Sequence, residues 1–152
     1  MTAAKRILVP VDFSPMSQAV LEYASLLAQP LPAAITLLHV YEPPAAMSGI
    51  VPGADDRADL LEERTQATTL LARMLEVLKG LGCAQAQMLI EEGFAVETIL
   101  RVARDGKFDL IAMATHGRTG LDRVLMGSVV EGVWRKAPCV VLTVHIPHPS
   151  HS

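Results

Sequence analysis

Apolar positions along the chain alternate between short unbroken runs of strand length and longer stretches with helical spacing. The run Lys5 to Asp12 is continuously apolar between its charged ends, the pattern of a strand buried on both faces in a parallel sheet. Pro10 has no ladder donor and marks its end. Ser14-Pro15 supplies a helix N-cap and a first-turn proline, and Val20, Tyr23, Ala24 and Leu27 give a helical apolar face up to about Ala28. Ile35 to Val40 is a second apolar strand. The residues from Pro43 to Asp56 are rich in Pro, Gly and Ala without a period, a connector long enough to serve as a lid.

Arg57 to about Lys79 is a long helix with Leu60, Ala67, Leu71, Met74, Leu75 and Leu78 on one face, stopped by Gly80 and Gly82. Gln85 and Gln87 alternate with Ala84, Ala86, Met88 and Ile90, as in a strand at a sheet edge. Gly93 opens a turn. Val96, Ile99, Leu100 and Ala103 make another helix, ended by Asp105-Gly106. Phe108 to Met113 is a fourth strand, Val129 to Ala137 a further helix, and Cys139 to Val144 a fifth strand, almost wholly apolar. The tail carries His145, His148 and His151 at every third residue. A metal site needs ordered ligands and supporting partners, so the tail reads as a solvated end.

Strands alternating with helices predict an α/β fold: an open, doubly wound, five-stranded parallel sheet with right-handed crossovers and helices on both faces. Such sheets bind ligands beyond the carboxyl ends of the strands, where the strand order reverses. With order 3-2-1-4-5, that point lies between strands one and four. Two loops meet there, one leaving strand one at Asp12 and the other leaving strand four at Met113.

The second loop, Met113 to Val129, carries the clearest chemistry. Gly117 and Gly120 permit a tight backbone, and Gly127-Ser128 stands where the next helix begins. Unpaired N–H groups and the positive dipole end at a helix N-terminus attract an anion, and a glycine before it lets a phosphate approach. Ser128-Val-Val-Glu131 also fits a capping box, with Ser128 as N-cap. Asp12 can accept from ribose hydroxyls or an adenine amine, or reach magnesium through water. It can also complement the dipole of the helix after it. Val40 and the backbone near Val11 are placed to flank an adenine.

Composition narrows the function classes. A chain of 152 residues that is 51% hydrophobic fits one domain, read as 1–146 with a tail at 147–152. A net charge of −3 with scattered Lys and Arg, and only 4% aromatics, argues against nucleic-acid binding. No apolar run suits a signal peptide or a membrane span, so a cytoplasmic location is expected. Cys83 and Cys139 stand apart and read as reduced thiols. There is no Walker lysine, no G-x-x-x-x-G-K pattern and no base aimed at a water, so catalysis is not expected. Adenylate-forming enzymes of related architecture place Ser-Gly-Gly-x-Asp-Ser or His-x-Gly-His after strand one; this chain has Asp12-Phe-Ser-Pro-Met.

Across nearly its whole length the sequence resembles the universal stress protein family. The resemblance rests on Val9-Pro10-Val11-Asp12-Phe13-Ser14, Leu38-His39-Val40, Asp109 through Gly117, Gly127-Ser128-Val129 and Ala137-Pro138-Cys139. The family's ATP signature is Gly, two residues, Gly, nine residues, then Gly-Ser or Gly-Thr. Gly117, nine residues and Gly127-Ser128 match it, while Ala114 stands at the first glycine. Alanine there is tolerated at negative φ and costs affinity at positive φ. The resemblance implies an ATP-binding regulator of the stress response that binds ATP with magnesium. Pro10, Val11 and Asp12 lie at the base or ribose, with Val40 and Met113 beside the adenine. Gly117, Gly127, Ser128 and Val129 lie along the phosphates, with Ala114 at the place of the first signature glycine; His116 and Arg118 lie inside the loop within approach of phosphate, and Arg118 reads equally as a solvated side chain. It further implies a homodimer through Cys139 to Val144 and a regulatory protein partner of unknown identity. The alternatives are a dimer that binds no ATP, one that binds AMP or cyclic AMP, and a weak ATPase.

Overall fold

The structure, a computed structural model, describes residues 5–29, 33–42, 53–115 and 127–145. In chain order these form β1 (Lys5–Pro10), α1 (Pro15–Ala28), β2 (Ala33–Tyr41), α2 (Ala54–Gly80), β3 (Gln87–Glu92), α3 (Ala95–Asp105), β4 (Leu110–Ala114), α4 (Ser128–Lys136) and β5 (Val140–Val144). All strand pairs are parallel, in the order β3-β2-β1-β4-β5. This is the expected doubly wound sheet, with β1 at its centre.

Alternation along the central strands sends side chains to two cores. Ile7, Val9, Ile35, Leu37 and Ala112 face α1 and α2, with Val20, Leu21, Ala24, Leu71, Met74 and Leu78. Leu8, Leu38, Ile111 and Met113 face α3 and α4, with Ile99, Val102, Ala103, Val130 and Val133. A strand buried on both faces cannot alternate polar and apolar, hence its unbroken apolar run.

The β1–β4 pairing is short: Ile7 opposes Leu110 and Leu8 opposes Ile111. It is reinforced at the foot of the sheet, where the Asp109 N–H donates to the Arg6 carbonyl at 2.8 Å and the Asp109 carboxylate accepts from the Arg6 N–H at 2.8 Å. The Arg6 guanidinium lies 4.4 Å from the centre of the Phe108 ring and donates to the Gly106 carbonyl. Beyond Leu8 and Ile111 the ladder between β1 and β4 ends, and the helices that follow the two strands, α1 and α4, pack on opposite faces of the sheet.

Several expectations change in detail. The buried face of α1 is Ser17, Val20, Leu21, Ala24, Ser25 and Ala28, while Tyr23 is 51% and Leu27 37% exposed. Two helical stripes share Val20 and Ala24; the one with small residues at 17, 25 and 28 lets α1 settle closely on the sheet. Helix α2 begins at Ala54, so the connector is shorter than expected. Its residues 43–52, which read either as a lid or as a plain solvated connector, lie outside the described residues. β3 is the expected edge strand, and Gly93 after it has φ +146°. A Cβ on Gly93 would stand 2.6 Å from the Thr98 hydroxyl, which accounts for glycine at this turn.

The two leucines of α2 separate packing from exposure. Leu71 has no exposed surface and Leu61 is 67% exposed. Leu71→Ala is expected to lower unfolding free energy by about 2–5 kcal/mol and Leu61→Ala by under about 0.5 kcal/mol. Urea unfolding followed by circular dichroism checks both values.

Candidate functional site

A cleft of about 310 Å³ opens where β1 and β4 part, beyond the carboxyl ends of the strands. Pro10, Val11, Asp12, Val40, Met113, Ala114, Gly127, Ser128 and Val129 line it, as expected from the sequence. His116, Gly117 and Arg118 lie outside the described residues. Ser17, Leu38, Ala95, Ile99 and Val130 also line it and were not expected. Ile99 and Val130 show in sequence only as apolar positions at helical spacing. Their place in the cleft depends on where α3 and α4 settle, which no local pattern encodes.

The floor is apolar. Leu38 and Val40 from β2, Met113 from β4, Ile99 from α3 and Val130 from α4 belong to, or pack against, the core under α3 and α4. Such a surface suits a flat, weakly polar ring system, because each contact removes apolar area from water without stranding a polar group.

Asp12 stands at one side, where β1 runs on into α1. The Val11 N–H still donates to the Leu38 carbonyl at 2.8 Å, one residue past the end of β1. Phe13 then turns the chain at φ +64°, a left-handed conformation that costs an L side chain on the order of 1 kcal/mol. The turn is held by the Asp12 carboxylate, whose Oδ1 accepts from the Ser14 N–H at 3.0 Å and the Ser17 hydroxyl at 2.9 Å. The Asp12 N–H donates to Ser17 Oγ at 3.2 Å. Ser14 is the N-cap by position and Pro15 the first helical residue, but the Ser14 hydroxyl makes no capping bond. Its Oγ is buried without a partner among the described residues. Asp12 therefore lines the cleft and organises the start of α1 together.

At the other side stands the N-terminus of α4. Gly127, not Ser128, is its N-cap, at φ −66° and ψ 158°. The Gly127 carbonyl accepts the first helical bond, from the Glu131 N–H at 3.0 Å, while its N–H donates to the Thr115 carbonyl at 2.7 Å. Those two bonds set the helix one residue earlier than a capping box on Ser128 requires. Glu131 pairs instead with Arg135, 2.8 Å away and one turn on. The N–H groups of Ser128, Val129 and Val130 have no carbonyl four residues back within the helix, and all three residues line the cleft. With the dipole, they make an electropositive backbone surface for an anion.

Ala114 ends β4, paired with Val144, and is not among the residues of positive φ. Alanine thus fits this backbone without strain. Thr115 follows it, its N–H donating to the Val144 carbonyl at 3.0 Å. Thr115 is thus bonded to β5 through its N–H and to the N-cap of α4 through its carbonyl.

Other candidates fall away from the cleft. Burial pushes the thiols of Cys83 and Cys139 above their ordinary value, with Asp109 adding to the effect at Cys139, and neither lines the cleft. Both are free, as expected. Among the described residues no three His, Cys, Asp or Glu side chains gather where they could hold a metal ion. No helix among them is long and apolar enough to cross a membrane.

Comparison with known proteins agrees with this geometry. Universal stress protein A homolog 2 of Coxiella burnetii is 32% identical over 146 residues, covering 93% of this chain and 95% of that protein. The solved structure of protein MJ0577 of Methanocaldococcus jannaschii superposes with a TM-score of 0.85 at 26% identity, over 97% of this chain and 100% of that one. The universal stress protein UspA of Lactobacillus plantarum superposes at 0.81 with 28% identity, over 94% and 99%. Two more distant neighbours in fold are a universal stress protein solved with cAMP, at 21% identity and TM-score 0.69, and one from Archaeoglobus fulgidus solved with dAMP, at 19% and 0.68. They cover 95% and 94% of this chain and 98% of each of their own. The family model for the Universal stress protein family matches residues 3–145, and the chain belongs to that family.

Proposed function

We propose that this protein is an ATP-binding regulator of the stress response that acts as a homodimer and is not an enzyme. One observation carries the reading: an apolar floor, a carboxylate and a helix N-terminus converge on a single cleft at the switch point of the sheet. A purine fits the floor, Asp12 accepts from the base or ribose, and the backbone of Gly127 to Val130 receives phosphate. Magnesium enters with the nucleotide, held by the phosphates, with Asp12 in reach only through water. Occupancy governs the binding of a regulatory partner through the segment joining β4 to α4, which is flanked by the cleft-lining residues Ala114 and Gly127. The protein works in the cytoplasm.

A second reading, an AMP- or cyclic-AMP-binding member, draws on two observations. Ala114 replaces the first glycine of the ATP signature, and the two ligand-bound neighbours hold adenine monophosphates.

The dimer reading rests on β5, which is the free edge beyond β4. Val140 is 67% exposed and Val141 to Thr143 are half-buried, so the strand offers apolar side chains together with a backbone edge that no strand among the described residues pairs. Pairing with a twofold mate satisfies both.

Calorimetric titration of ATP, AMP and cyclic AMP into nucleotide-stripped protein is expected to give one saturable site per subunit, tightest for ATP with magnesium. Tighter binding of the monophosphates selects the second reading. Gly127→Val is expected to abolish binding by blocking phosphate approach while the circular dichroism spectrum is retained. Asp12→Ala should weaken adenosine binding by about tenfold, the order of a lost charged hydrogen bond, and leave pyrophosphate binding unchanged. Equal losses for both contradict the base or ribose role. Light scattering at micromolar concentration should report a dimer; a monomer rules out pairing through β5.

A further inference from the structure

His39 is a polar residue in the middle of the sheet, only 8% exposed, on a strand that is otherwise apolar apart from Thr36 and the terminal Tyr41. Its neighbours Leu38 and Val40 point to the α3 and α4 side and line the cleft, so alternation turns the imidazole to the α1 side. A buried imidazole is costly unless its nitrogens are used. Here Nδ1 lies 3.1 Å from the Val11 carbonyl oxygen. A carbonyl only accepts, so Nδ1 carries the proton and donates. The same ring packs on Phe13, with centroids 4.4 Å apart and planes inclined by 35°.

Val11 and Phe13 flank Asp12, and Phe13 holds the left-handed turn on which the direction of the Asp12 carboxylate depends. His39 itself does not line the cleft. We infer that His39 is a positioning residue for the nucleoside end of the cleft. It donates to the Val11 carbonyl and stacks on Phe13, and so fixes the turn that presents Asp12. A leucine here would fill the core as Leu37 and Leu38 do, but would leave the Val11 carbonyl without its side-chain donor and the Phe13 turn without a partner of matching shape. The inference rests on the adenine-nucleotide reading of the cleft.

Two substitutions separate positioning from packing. His39→Phe keeps a ring against Phe13 and removes the donor. His39→Asn restores an N–H donor as many bonds from the backbone as Nδ1 and removes the ring. Dissociation constants for adenosine, ATP and inorganic tripolyphosphate are measured by calorimetry, with melting temperatures alongside. His39→Phe is expected to weaken adenosine and ATP by about tenfold, the order of a lost buried hydrogen bond, without moving tripolyphosphate. His39→Asn is expected to recover most of that loss whatever its melting temperature. The inference is overturned if His39→Phe binds adenosine as the parent does, if tripolyphosphate weakens equally, or if Asn is no better than Phe. If the parent protein binds no adenine nucleotide, the cleft reading fails by itself, and amide hydrogen exchange in the ligand-free proteins then decides the matter. Faster exchange at Asp12 to Ser17 in His39→Phe, restored in His39→Asn, supports positioning; unchanged exchange overturns it.

Discussion

The pairing of β1 with β4 is the constraint on which the molecule depends. β1 is hydrogen-bonded to β2 on one side and β4 on the other, and the helices that follow β1 and β4 pack on opposite faces of the sheet. Right-handed crossovers force that divergence. Helices packed on opposite faces leave the strand ends between them uncovered by either helix. The cleft is the space they leave.

Its chemistry follows from what each neighbouring element must expose. Strand ends and inward helix faces offer apolar side chains, because the core continues up to the rim. The turn into α1 and the start of α4 offer polar groups, because helix N-termini carry donors without intrahelical partners. A ligand with a flat apolar body and an anionic end matches both surfaces, and the apolar floor contributes through area while the backbone donors fix orientation. The carboxylate of Asp12 serves α1 through Ser14 and Ser17 and lines the same cleft.

Thr115 joins the α4 side of the cleft to β5, the edge strand of the sheet among the described residues. Its N–H reaches the Val144 carbonyl and its carbonyl receives the Gly127 N–H, while Oγ1 lies 3.4 Å from His145 Nδ1. Only Thr115 stands between the N-cap of α4 and the end of β5 in this run of bonds. Thr115 is therefore bonded through its backbone both to the last residue of β5 and to the N-cap of α4.

The sequence by itself determined the elements, their order and the parallel sheet, because unbroken apolar runs and helical spacing are local properties of a chain that must bury two sheet faces. It also marked Asp12 and Gly127-Ser128 as chemically pointed positions, since each sits at a strand end or a helix start that the pattern reveals. It could not choose between overlapping stripes on α1, where Tyr23 and Leu27 fit the helical period but Leu21 and Ala28 are the ones buried. That choice depends on how closely the helix approaches the sheet. Nor could it place Ile99 and Val130 in the cleft, set α4 to begin after Gly127, or assign His39 to the Val11 carbonyl 28 positions away. These belong to tertiary structure because each is a meeting of residues distant in the chain, and only the packed layers bring them within hydrogen-bonding or van der Waals range.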